Sequence, residues 1–288
     1  MGKHLDAVKR RFGTDTRGLL DGGRYALLHT RTMEFDELRP YVPGDDVRDI
    51  DWKASARSGS VLIKRFVTER HHKILLVADA GHAMAGLAPS GERKCVLAGD
   101  VLGAVGLIAL GRSDQLAMVY GDTRGSVNIG LGRGETHVER MLAHYHDHAR
   151  APHGSSDIAC QLDYVATHYR HRMLIVVVSD EPEPDARLGD LVSRLGSRHD
   201  LMWAMVADMP ATAAGAHGGY DVVTGRPVLG LAAADRRVIA AYRRAEQLRV
   251  RRLTDFLTKR SIAHASITGA ADLRRGIVDM TGVWSRAG

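Results

Sequence analysis

Two cysteines in 288 residues, Cys95 and Cys160, are too few and too widely spaced for a disulfide framework or a paired-thiol metal site. Aromatic residues make up only 5% of the chain. The core must then come from Val, Leu, Ile and Ala, which suits a parallel sheet covered by helices. No apolar run reaches the ~18 residues needed to cross a bilayer, so no membrane partner is expected. The start, Met1 to Phe12, is basic but has no apolar stretch behind it, and Asp6 stands where an acylation signal needs Ser or Thr. A cytoplasmic location is expected. There is also no glycine-rich phosphate loop with a lysine, and Ser179 lacks the glycine-flanked elbow of a hydrolase. Both absences argue against an enzyme.

The charge balance is +6, from 40 Lys and Arg against 34 Asp and Glu. Acids and bases are interleaved, which leaves a nucleic-acid partner unexpected. Buried strands are read at 74–78 and 173–178, each followed by an aspartate, Asp79 and Asp180. Further strands are expected at 61–67, 201–207 and 262–267, with a hairpin from 115–120 and 126–129. Helices are expected at 90–111, 135–149, 157–170, 185–196, 235–258 and from Asp272. A short amphipathic start carries Leu5, Val8 and Phe12. Gly99, Gly103 and Gly106 are spaced for close packing against a sheet, and 208–230 reads as a loop with at most one short strand. Strands alternating with helices imply a doubly wound α/β fold, whose ligands gather at the carboxyl ends of the strands. If the strands ending at Asp79 and Asp180 are neighbours, those carboxylates converge.

The most distinctive segment is 34–70, where five aspartates, several bases, a Pro43-Gly44 turn and Trp52 crowd together. The run Phe35-Asp36-Glu37-Leu38-Arg39-Pro40-Tyr41-Val42-Pro43-Gly44-Asp45-Asp46-Val47-Arg48-Asp49-Ile50-Asp51-Trp52-Lys53, with Ala56-Arg57, resembles the motif of the domain of unknown function 58 family. The resemblance implies a charged N-terminal collar over residues 1–69. After it, residues 70–288 would form a Rossmann-like, von Willebrand factor A-type parallel sheet flanked by helices. It also implies a metal-ion-dependent adhesion site, built from Asp-x-Ser-x-Ser, a later hydroxyl and a final aspartate. Here those positions are Asp79-Ala80-Gly81-His82-Ala83, Ser156 and Asp180. Two hydroxyls are missing, so the site is expected to be degenerate, with no cofactor or only weakly bound magnesium. His82 or a nearby Lys or Arg is then expected to supply the neutralising cation. The resemblance further implies a MoxR-type AAA+ ATPase as partner, with a client protein that it does not identify.

Other clusters have simpler readings. Asp45, Asp46, Asp49 and Asp51 could hold metal ions for a nuclease. Arg39, Arg48, Lys53 and Arg57 lie among them, however, and favour a network of salt bridges and caps. Trp52 is expected to anchor that collar. Arg39, Tyr41, Asp45, Asp46, Arg48, Asp51, Trp52 and Arg57 are the candidate partner-binding residues. His144 and His148, in a run with His137, His146 and His153, have zinc-compatible spacing, though a solvated histidine-rich helix is the favoured reading. On the 235–258 helix, Val238, Tyr242, Ala245, Leu248, Leu253 and Phe256 form the expected buried stripe, with Arg249 and Arg252 intruding. The functional expectation is a non-enzymatic adaptor. A metal-dependent hydrolase or nuclease and a nucleic-acid-binding module are the alternatives.

Overall fold

A computed structural model describes residues 2–16, 30–43, 45–151, 154–211, 219–222, 225–228 and 236–286. The Asp21-Gly22-Gly23 segment, where the sequence favours a turn, Gly44 of the Pro43-Gly44 turn and His153 lie outside the described residues. The chain divides into two compact units, Met1–Leu28 with Lys73–Gly288, and His29–His72.

The larger unit begins with helix α1 (Lys3–Phe12), whose Leu5, Val8 and Phe12 are buried as their spacing implies. Sheet strands are β3 (Lys73–Asp79), β4 (Gln115–Asp122), β5 (Gly125–Gly132), β6 (Leu174–Ser179), β7 (Asp200–Val206) and β10 (Ala263–Ile267). Helices are α3 (Lys94–Gly111), α4 (Glu135–Arg150), α5 (Ile158–His168), α6 (Ala186–Gly196), α7 (Arg236–Thr258) and α8 (Leu273–Arg286). Within 208–230, β8 (Gly219–Tyr220) and β9 (Pro227–Val228) form a short antiparallel pair.

Across the sheet the order is β10-β7-β6-β3-β4-β5. All neighbours are parallel except β5, which returns antiparallel beside β4 through the expected hairpin. The chain fills the β4 side of β3 first and then crosses to β6. The switch in winding direction therefore falls between β3 and β6, where a crevice opens beyond the carboxyl ends of the strands.

Alternation along β3 divides the core. Ile74, Leu76 and Ala78 face a layer that includes α1, α3, α4 and α8. Leu75 and Val77 face one that includes α5, α6 and the end of α7. Among the described residues α3 is the one helix long and apolar enough to cross a membrane, and most of it is buried in this core. Its Asp100 is 4% exposed and is held by Arg11 Nη1 at 2.6 Å.

The glycines of α3 face helices, not the sheet. A Cβ at Gly103 would lie 2.5 Å from Val8 of α1, one at Gly106 2.7 Å from Val138 of α4, and one at Gly99 2.5 Å from the His146 ring. The two covering helices α1 and α4 need notches in α3. His146 stacks on His4 at 4.6 Å, and Glu139 caps α1 by accepting from the His4 and Leu5 N–H groups at 2.9 and 2.8 Å. These contacts place α1 in the larger unit, where the sequence had grouped it with the collar.

The expected stripe on α7 is also corrected. Leu253 and Leu257 are buried, but Val238, Tyr242 and Leu248 are 50%, 36% and 50% exposed. The helix reaches the core at its C-terminal end and leaves its first half uncovered.

In the smaller unit, β1 (Thr30–Pro40) pairs antiparallel with β2 (Leu62–His71), and helix α2 (Trp52–Ser58) lies between them in sequence. β1 was not expected, because its charged side chains hide an alternating pattern. β2 extends beyond the expected 61–67.

Overpacking typically costs about 1–3 kcal/mol. Gly103→Ala should lose stability in that range in urea denaturation, whereas Gly130→Ala, which meets nothing within 4 Å, should change little. Burial, followed by repulsion from His4 and Arg150, lowers the His146 pKa from its ordinary 6.5 to about 4. The unfolded chain therefore takes up a proton that the folded chain refuses. Stability should be complete above pH 6.5 and fall as pH drops towards 4. His146→Gln should flatten that part of a melting-temperature profile.

Candidate functional site

Four strands at the carboxyl edge end in an acid. β3 ends at Asp79 and β4 at Asp122; Asp180 follows β6 directly, and Asp208 lies just beyond β7. β3 and β6 are direct neighbours, with Ala78 opposite Val178, so the convergence of Asp79 and Asp180 inferred from the sequence is observed. Asp79 is fully buried. Its Oδ1 accepts the Gly81 N–H at 2.8 Å, and its backbone carbonyl accepts the Tyr145 hydroxyl at 3.0 Å. Burial and then the negative Asp180 push the Asp79 pKa up to about 7, against the pull of the Gly81 N–H, Ser156 and Lys94. Asp180 is likewise raised, first by burial, while Lys94 and Arg249 act against the rise.

The hydroxyl loop is built from β4. Asp122 accepts the N–H groups of Arg124 at 2.8 Å and Gly154 at 3.0 Å, with His148 Nε2 at 3.4 Å. Gly154 in turn accepts the His82 N–H at 3.0 Å, and Ser156 Oγ accepts the Ala83 N–H at 3.2 Å. The loop is thereby clamped onto 81–83. A Cβ at Gly81 would lie 2.5 Å from Ser156 N, so serine cannot occupy that position without moving the loop.

Among the cations acting on these carboxylates are Lys94 and Arg249. Lys94, the first residue of α3, is completely buried and forms an ion pair with Asp208. Arg249 of α7 reaches Glu181, at 2.5 Å to Oε2 and 3.0 Å to the carbonyl.

Asp79 Oδ2 is buried and without a hydrogen-bond partner, as a ligand atom for a divalent ion would be. The remainder of the donor set does not fit one. Positions 81 and 83 offer no hydroxyl, the loop fills the space at Gly81, and an ammonium already lies among the acids. Among the described residues no group of three His, Cys, Asp or Glu side chains is placed to hold a metal.

Lys94 and Asp208 were not singled out in the sequence. Asp208 repeats the strand-then-aspartate pattern of Asp79 and Asp180. Lys94 is a cation opening an apolar helix, where the helix dipole disfavours it, and so signals a waiting acid.

A cavity of about 710 Å³ opens beside this edge. Leu87, Tyr220, Val222, Tyr242, Asp208 and Glu246 are among the residues that line it, with Asp180 and Arg249. Leu87, Tyr220 and Val222 are 45%, 77% and 47% exposed.

In the smaller unit the acids act on their own backbone. Asp45 accepts Arg39 Nη2 at 2.6 Å and the Val42 N–H at 2.9 Å, and Arg39 lowers its pKa most. Asp46 accepts the Arg48 N–H at 3.0 Å, capping the turn Val47–Asp49. Asp51 caps α2 through the Lys53 and Ala54 N–H groups at 3.1 and 2.9 Å. Caps and an Arg39–Asp45 salt bridge are both present among the described residues. Tyr41 is half-buried, and Arg48 and Arg57 are exposed. Trp52 is 69% exposed, so it does not anchor the collar. Ala54 and Ile63 are buried in this unit instead.

The histidines separate into individual packing roles. His137 bonds to the Leu116 carbonyl at 2.9 Å, His148 meets Asp122 and the Tyr120 ring, and His144 is exposed.

The strand order is Rossmann-like. With strand-end aspartates and a hydroxyl loop at its carboxyl edge, the fold is of the von Willebrand factor A type. Residues 37–248 match the family described as protein of unknown function DUF58, and the chain belongs to that family. Uncharacterized proteins of Mycobacterium bovis and Mycobacterium tuberculosis are 26% identical over 193 residues, covering 66% of this chain. The chain spans about 60% of the length of those curated relatives. Among solved structures, it is similar to a von Willebrand factor type A protein from Catenulispora acidiphila, with TM-score 0.43 and 13% identity, over 76% of this chain and 44% of that one. An aerotolerance-related membrane protein from Bacteroides fragilis gives TM-score 0.45 and 9% identity, over 73% and 98%.

Gly81→Ala should cost about 1–3 kcal/mol by driving Ser156 off its seat. Thermal melts beside Gly130→Ala check this, and equal melting temperatures would show that the loop yields freely.

Proposed function

We propose that this protein is a non-enzymatic adaptor, an assembly or maturation factor that docks a partner in its carboxyl-edge cleft and works with a MoxR-type AAA+ ATPase in the cytoplasm. The observation that carries the reading is the composition of that cleft. Leu87, Tyr220, Val222 and Tyr242 offer exposed apolar surface around a cavity whose charged lining is Asp180, Asp208, Asp221 and Glu246 against Arg249. An apolar slot with an acidic margin suits a protein segment carrying an apolar side chain beside a basic one. Val238, 50% exposed, lies one turn before Tyr242 on α7.

Chemistry has no comparable support. Ser179 Oγ is engaged by Trp203 Nε1 at 3.0 Å and donates to the Asp180 carbonyl at 2.8 Å. Among the described residues it has no base. Of the collar aspartates proposed for a nuclease, Asp45, Asp46 and Asp51 are directed to separate backbone N–H groups. The family has no assigned function, and the ATPase partnership rests on the motif resemblance alone.

The reading predicts a saturable complex with a purified MoxR-type ATPase from the same genome, measured by calorimetry. Tyr242→Ala and Glu246→Lys should each weaken it at least about tenfold, or ~1.4 kcal/mol. Arg194→Ala, on exposed α6 surface, should leave it unchanged. A complex insensitive to both cleft changes would move the docking surface elsewhere. Metal-dependent cleavage of nucleic acid lost in Asp46→Ala would replace the adaptor with the nuclease.

A further inference from the structure

The carboxyl edge brings Asp79, Asp180 and Asp208 from three adjacent strands into one crevice, and no divalent ion fits the donors around them. Yet a crevice holding this much negative charge needs a cation, because desolvated carboxylates repel with little screening. One is present. Lys94 is completely buried, which is rare for an ammonium unless it is paired. It sits in the first turn of α3, where the helix dipole opposes positive charge, so nearby acids must more than compensate. Its backbone is fixed by donation to the Gly86 carbonyl at 2.9 Å, and its side chain passes close to Gly86 on the way to Asp208. Direct pairing goes to Asp208, and its field reaches Asp79, Asp180 and Glu181.

We propose that the Lys94 ammonium is the resident cation of this site, a built-in counter-ion occupying the place that a divalent metal takes in a complete adhesion site. Three features fit together under this assignment. The hydroxyls that would complete a metal's coordination are absent at 81 and 83, since an ammonium needs acceptors but no octahedral shell. The 154–156 loop can close onto Gly81, since no ligand side chain has to stand there. Asp208, outside the sequence pattern of the adhesion site, supplies the acceptor that a lysine approaching from α3 requires. A tethered cation also cannot be diluted or chelated. The charge of the crevice is then fixed by the fold and not by the magnesium level.

The inference stands apart from the docking reading and is tested separately. Wild-type protein is titrated with manganese, followed by the electron paramagnetic resonance signal of free Mn2+. Melting is measured with magnesium or with EDTA. No saturable binding up to about millimolar, the weak end of the range for built divalent sites, is expected, together with equal melting temperatures. In Lys94→Met, which keeps the side-chain length and removes the charge, the melting temperature should fall and manganese should restore part of it. Should that variant fail to fold, Lys94→Met combined with Asp208→Asn removes charge of both signs and should recover the fold without metal. Wild-type manganese binding that disappears in Asp79→Asn would overturn the proposal, as would a Lys94→Met protein that melts like wild type and ignores metal. Partner binding is not part of either readout, so failure of the adaptor reading leaves this result standing, and the reverse.

Discussion

Carboxylates gathered at the ends of parallel strands repel one another, and the crevice of this protein is shaped by how that repulsion is relieved. Asp79 and Asp180 face each other because β3 and β6 are hydrogen-bonded neighbours at the point where the winding of the sheet reverses. Asp208 arrives from the next strand, and Lys94 from the start of the most apolar helix in the molecule. The ammonium favours the ionised forms of Asp79 and Asp180 and pairs with Asp208, while α3 behind it packs against α1 and α4. The position of a single cation thus depends on the packing of half the core.

The fourth strand-end acid has a different task. Asp122 gathers the N–H groups of Arg124 and Gly154 and so fixes the loop that covers Gly81. Between them, Asp122 and Lys94 account for most of the difference between this edge and a metal-binding one. The loop fills the coordination space, and the lysine supplies the charge. What remains accessible is the neighbouring cavity under α7, where apolar and acidic groups are exposed side by side.

Much of this was legible in the sequence, for physical reasons that differ by element. The runs at β3 and β6 are uninterrupted because both faces of a central parallel strand are buried, and such runs leave little doubt about type. The β4–β5 hairpin declared itself through its glycine-bounded loop. The glycines of α3 announced close packing but not the identity of the packed element, since a notch for Val8 and a notch for a sheet leave the same trace. The exposed half of α7 deceived for the opposite reason. A stripe of apolar residues looks alike whether its complement is the same chain or another molecule. Lys94 escaped notice because its acids lie up to 114 residues away, and only the fold brings them together.

One more property follows from the pairing of the smaller unit. Thr30 opposes His71, so the two ends of the β1–β2 ribbon lie side by side, and Lys73 starts the core sheet immediately afterwards. Helix α1, earlier in the chain, already belongs to the core. β1 and β2 hydrogen-bond to each other in a sheet of their own. The entropy of closing the motif-bearing segment between them is therefore met by their own ladder, within the smaller unit.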